Sequence, residues 1–245
     1  FPGSTITPKP TRLPSPTLAP SPILTTMPKE SEPSGIWLEG PDNNPRMPDK
    51  SYGQRLGITH TSGKYHLTDE PYLIEGAKVA LEMGVKNIKV WLETTYQSRD
   101  YIFNHNWGFY MTATELASSE YYKELFEMPF DTFILLCHSF QGGNFNSPTA
   151  SIIYEDEIYE LAKYLLDTYK GTGKTFIIQN WEGDWLRSGT YDRNDIEAFN
   201  DPVKNENFTN WLNAMQRGIN RARGNVTNLK RNDVYIFGMA EVNLL

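Results

Sequence analysis

The chain has 245 residues, with 23 Lys and Arg against 30 Asp and Glu, a formal net charge of −7, and 14 Tyr, 12 Phe and 6 Trp. That length suits one large domain or two smaller ones, with ample aromatic material for a core. The acidic balance argues against a nucleic-acid or anionic-membrane partner, since both require a basic face, and no apolar run approaches the roughly 20 residues that span a bilayer.

The single cysteine, Cys137, forbids an internal disulfide. It lies in the apolar run 133–137, which suits a buried, inert thiol rather than a nucleophile. Lack of disulfides leans toward a reducing compartment. Two features lean the other way: the chain starts at Phe1 rather than Met, as a processed or excerpted chain would, and it carries the sequons Asn207-Phe-Thr and Asn225-Val-Thr.

Residues 1–33 are rich in Pro, Ser and Thr. Proline at that density removes backbone donors and forbids helix, so the stretch reads as an extended linker, stalk or tail. Residues 34–245 then form the folded domain. Residues 36–39 (Ile-Trp-Leu-Glu) are a candidate leading strand, and 55–60 (Arg-Leu-Gly-Ile-Thr-His) read as a strand. Thr68 and Asp69 can cap a helix with the apolar stripe Leu73, Ala77, Ala80 and Leu81, stopped by Gly84. A strand over 87–92 follows. Thr112-Ala-Thr-Glu115 is a capping box opening a helix to about Met128.

Residues 131–138 read as the next strand. A helix from about Tyr154 carries Ile158, Leu161, Ala162 and Leu165 on one face and ends near Gly171. Phe176, Ile177 and Ile178 mark a buried strand that changes character at Asn180. Asp201-Pro202 starts a helix with Phe208, Trp211, Leu212, Met215 and Ile219 at helical spacing. Residues 234–245 read as a last strand.

Strand and helix alternate with no hairpin signal between strands, which predicts an α/β fold with a parallel sheet and right-handed crossovers. Five strand units are countable, and no helix follows the fifth. The expectation is a (β/α)8, TIM-barrel-type domain of which about the first five units are present, because a central strand at the chain end would leave apolar surface uncovered.

Gly171-Thr-Gly-Lys-Thr175 looks like the tail of a phosphate-binding loop. It lacks the upstream glycine and follows a helix rather than a strand, so it reads as a turn. His60, His66, His105 and His138 show no metal-ligand spacing, and neither metal nor cofactor is expected. His60 and His138 fall at predicted C-terminal strand ends, where a barrel binds its substrate. Ser139 lacks the glycine pattern of a nucleophile elbow.

The carboxylates carry more. Glycoside cleavage needs one carboxyl group to protonate the leaving oxygen and a second as nucleophile or base. Glu182 follows an apolar strand end and is flanked by Trp181 and Trp185. Indoles lower local polarity, which suits an acid that must hold its proton, and their faces stack on sugar rings; Trp91 and Trp107 lie near the same predicted edge. The bland alternative makes Glu182 and Asp184 solvated loop carboxylates and the tryptophans packing residues. The second carboxylate within the chain is Glu241, at the end of the fifth strand, or Asp184.

Gln179-Asn180-Trp181-Glu182, at the end of the fourth counted strand, resembles the strand–Asn–Glu signature of the retaining (β/α)8 glycoside hydrolases. The resemblance implies Glu182 as acid/base and Asn180 as the contact to the sugar 2-hydroxyl. In the family Asn and Glu are adjacent, whereas Trp181 intervenes; period-two alternation would still set both on one side of a regular strand. The family nucleophile lies on a seventh strand, so neither Glu241 nor Asp184 matches it.

The expected function is hydrolysis of glycosidic bonds in an oligo- or polysaccharide by a secreted or cell-surface glycoprotein. Glu182 would be the acid/base, Glu241 the second carboxylate, and Asn180, His138, His60, Trp181, Asp184, Trp185 and Trp91 the substrate contacts. The alternatives are a non-catalytic carbohydrate-binding or cell-wall-associated barrel, and a barrel lyase or deacetylase.

Overall fold

A computed structural model describes residues 52–60, 67–92, 112–138, 145, 149–224, 228 and 230–242. The Pro/Ser/Thr-rich stretch, the 36–39 strand, His66, His105, Trp107, Ser139 and the Asn225 sequon lie outside the described residues. In chain order the elements are α1 (Tyr52–Arg55), β1 (Gly57–His60), α2 (Tyr72–Glu82), β2 (Asn87–Trp91), α3 (Ala113–Ala117), α4 (Glu120–Glu127) and β3 (Thr132–Leu136). They continue with α5 (Ala150–Thr168), β4 (Thr175–Gln179), α6 (Gly183–Ser188), α7 (Ile196–Asn200), α8 (Pro202–Arg223), β5 (Lys230–Arg231) and β6 (Val234–Met239).

The fold is α/β. One six-stranded sheet runs β1-β2-β3-β4-β6-β5, with every pair from β1 to β6 parallel and only β5 antiparallel. Each parallel strand is added beside the one before it, with no reversal of direction across the sheet. Right-handed crossovers on such an order set all connecting helices on one face. The core agrees with this. Ile88, Phe133, Phe176 and Ile236 form one register row, and Val90, Leu135 and Ile178 form another, all fully buried in one cluster with residues of α2, α4, α5 and α8.

Aromatic rings fill this layer. Phe126 of α4 meets Phe133 and Phe176 edge-on at 5.2 and 5.3 Å, and Tyr154 of α5 stacks on Trp211 of α8 at 4.2 Å. The α5–α8 contact is close because α8 carries Gly218. A Cβ there would stand 2.5 Å from the Glu155 carbonyl oxygen and 3.0 Å from the Tyr159 nitrogen, both backbone atoms of α5.

Several local expectations change. The helix opened by Thr112 breaks at Ser118 and Ser119, although Thr112 does accept the Glu115 N–H at 3.0 Å. Helix α2 is capped at Pro71 rather than by Thr68 or Asp69, and α5 begins at Ala150, a turn before Tyr154. A hairpin also stands where none was expected. Arg231 pairs with Val234 across Asn232 and Asp233, whose φ values of 54° and 59° are those of a type I′ turn.

The opposite face of the sheet carries Thr59, Lys89, Ile134, Ile177 and Phe237 in one row and Trp91, Leu136, Gln179 and Met239 in the next. Lys89 of β2 reaches Glu241, beyond β6, with Nζ at 3.0 and 3.1 Å from its two carboxylate oxygens. A flat sheet would hold these backbones about 14 Å apart sideways, at roughly 4.8 Å per strand. Glu241 also lies beyond Phe237, the register partner of Lys89's row. The sheet therefore curls toward this face and makes it concave.

Candidate functional site

Because β1 to β4 and β6 are parallel, their C-terminal ends share one edge. That edge gathers His60, Trp91, His138, the 179–185 segment and Glu241. Strand β4 ends at Gln179, and the regular alternation stops there. Asn180 turns inward and is 0% exposed. Its Oδ1 accepts the Glu241 N–H at 2.9 Å, and its Nδ2 donates to the Glu241 carbonyl at 3.1 Å. The carboxamide thus imitates a peptide group and ties the end of β4 to the segment after β6. The amide, expected as a substrate contact, is here spent on the backbone, and none of it reaches solvent.

The next turn continues the clamp. Gly183 N–H donates to the same Glu241 carbonyl at 2.8 Å. Only glycine fits at 183, because a Cβ would stand 2.6 Å from that oxygen and 2.9 Å from Asn180 Nδ2. Glu182 lies between these two anchored residues in the left-handed region, at φ 33° and ψ 65°. A non-glycine residue held there costs on the order of 1–3 kcal/mol, and such strain concentrates at functional sites. Glu182 caps α6 through its backbone carbonyl, which accepts the Leu186 N–H at 2.9 Å. Its half-buried carboxylate has no hydrogen-bond or ion-pair partner among the described residues.

His138 supports the turn from β3. The Trp181 N–H donates to His138 Nε2 at 3.1 Å, so the neutral ring carries its proton on Nδ1. Burial lowers its pKa from 6.5 to about 4, and Trp181 and Trp211 flank the ring at 6.3 and 6.2 Å. Trp91 comes within 6.4 Å of Trp181 at the concave face. Trp91, Trp181, Glu182, His138 and Glu241 are therefore brought together, with Lys89 as an ion-pair partner that sequence reasoning missed. A lysine at the inward period of an otherwise apolar strand was the available signal.

Others are not brought together. His60 shares the register row of Val90 and so faces the helix layer. Its Nε2 donates to the Tyr72 carbonyl at 2.9 Å, its ring lies against Gly76 of α2, and burial lowers its pKa. His60, expected as a substrate contact, thus packs strand against helix. Trp185 points away along α6 and packs on Tyr191 at 5.6 Å and Phe199 at 5.9 Å, with the Arg193 guanidinium 5.8 Å from its ring. Asp184 is buried in the first turn of α6. Lys174, of the phosphate-loop lookalike, sits at the other edge and donates to the Met128 and Phe130 carbonyls at 2.7 and 3.2 Å.

Among the described residues no group of three His, Cys, Asp or Glu is placed to hold a metal ion, and no helix is long and apolar enough to cross a membrane. Comparison with protein-family models, with curated proteins and with solved structures returns no match.

Proposed function

We propose that the C-terminal edge of the sheet is a carbohydrate-active site in which Glu182 acts as general acid/base on a glycosidic bond. The observation that carries this reading is the conformation of Glu182: a left-handed backbone clamped on both sides, presenting a carboxylate with no partner among the described residues. Strain sustained by a fitted clamp is the signature of pre-organisation. Glu241 is the second carboxylate, joined to the same turn through its backbone and oriented by Lys89. The rings of Trp91 and Trp181 supply faces on which a sugar can stack.

The sheet is proposed as the front part of a (β/α)8 barrel, supported by its sequential strand order and by the ion pair that bridges its concave face. The proline-rich stretch and the Asn207 sequon support work outside the cell as a secreted or surface glycoprotein.

Reducing-end release from a panel of oligo- and polysaccharides tests the catalytic role. Glu182→Gln removes the transferable proton at nearly constant shape and lowers turnover by about 10²–10⁴-fold. Unchanged turnover overturns it. One observation favours a second reading, a glycan-binding protein without turnover: Asn180, the residue the resemblance assigns to the 2-hydroxyl, is consumed by structural hydrogen bonds. Binding of a panel glycan with no hydrolysis over days would select that reading.

A further inference from the structure

Gln179 is the residue the site leaves unexplained. On β4, Phe176 and Ile178 point into the helix layer, so Ile177 and Gln179 point to the concave face, with Gln179 in the row of Trp91, Leu136 and Met239. It is 4% exposed, and its Oε1 is buried without a hydrogen-bond donor. Among the described residues the carboxamide has no hydrogen-bond or ion-pair partner at all. Its neighbour Asn180, equally buried, satisfies its own amide through Glu241. The contrast matters because buried polar groups are nearly always paired, and leucine or methionine would fill the same space without an orphan oxygen.

Its surroundings define what could pair with it. The Lys89–Glu241 ion pair spans β3 and β4, the strands between its partners, and Gln179 ends the second of these. Trp91 and Trp181 meet near the same row. Lys89, the cation on this face, is already spent on Glu241 rather than offered to an anionic ligand. A carboxamide both accepts and donates, which matches a hydroxyl group rather than an ion. We infer that Gln179 hydrogen-bonds a hydroxyl of a neutral sugar ring bound on the concave face, against Trp91 and Trp181. The inference rests on the carbohydrate reading of this edge, and not on the chemistry of Glu182.

The test is equilibrium binding by calorimetry of neutral gluco-, xylo-, manno- and chito-hexaoses to the full chain, in the Glu182→Gln background to prevent turnover. Gln179→Met keeps the volume and deletes the carboxamide; Gln179→Leu is the second variant. Binding of the hexaose that the parent takes up weakens about ten-fold, the worth of one or two neutral hydrogen bonds. The melting temperature stays level or rises, since an unpaired buried oxygen has gone. Equal binding by parent and variants overturns the inference while leaving the carbohydrate reading standing. A melting temperature that falls by several degrees in both variants overturns it as well, by making the carboxamide structural. Failure of every hexaose to bind the parent overturns both. Full hydrolysis by Glu182→Gln alone, with weakened binding in Gln179→Met, removes the catalytic reading and keeps this one.

Discussion

Replacing Asn180 with alanine separates a clamp from a substrate contact. The side chain makes two good hydrogen bonds, at 2.9 and 3.1 Å, to one residue's backbone. Each is worth about 0.5–1.5 kcal/mol net. The Glu241 carbonyl keeps its second donor, Gly183 N–H at 2.8 Å, so its loss is partial. The Glu241 N–H loses its acceptor, and a stranded buried donor costs about 1–3 kcal/mol. Together Asn180→Ala should destabilise the fold by about 2–4 kcal/mol, a fall in melting temperature on the order of 10 °C for a domain of this size. Urea unfolding followed by tryptophan fluorescence measures it, with the slope checked for constancy. A loss of activity with a stability change under about 1 kcal/mol would refute the clamp and restore the substrate contact.

Two more outcomes follow from packing and burial. His138 has a folded pKa of about 4 against 6.5 when free. The unfolded chain therefore binds a proton that the native state refuses, and stability present above pH 6.5 is lost as pH falls toward 4, by about 3 kcal/mol in all. His138→Gln should flatten that limb in urea midpoints measured at pH 7 and pH 4.5; parallel falls in both proteins would contradict it. Gly218→Ala forces a methyl group onto the backbone of α5 and should cost about 1–3 kcal/mol in thermal unfolding, whereas an unchanged melting temperature would mean the helix pair separates freely.

The parallel strands were legible because each is a short β-favouring apolar run, as in Phe133 to Leu136 or Phe176 to Ile178, between helices with evident stripes. Asp201-Pro202 announced α8 through chemistry that needs no tertiary context, and Asp201 Oδ1 accepts the N–H groups of Val203 and Lys204. What failed was whatever depends on a partner distant in sequence. Period-two alternation carried past Gln179 set Asn180 beside Glu182, but the pull of Glu241 on both neighbours breaks the strand there. His60 looked like a site residue because its strand ends at the right edge. One residue of register turns it under α2 instead. The Asn232-Asp233 hairpin could have been seen, since Asn and Asp tolerate the left-handed region better than other side chains.

The ion pair across the concave face has a bearing on how the protein is made. Along the sheet each parallel strand joins the one preceding it, so pairing can advance as the chain leaves the ribosome. Lys89 and Glu241 are 152 residues apart, and that contact must wait until β6 has docked. Loop closure over such a span is entropically late. A nascent chain that had built four strands would hold most of its core yet possess neither the clamp on Asn180 nor the partner of Lys89. Neither the clamp on Asn180 nor the ion pair of Lys89 can form until synthesis has passed Glu241.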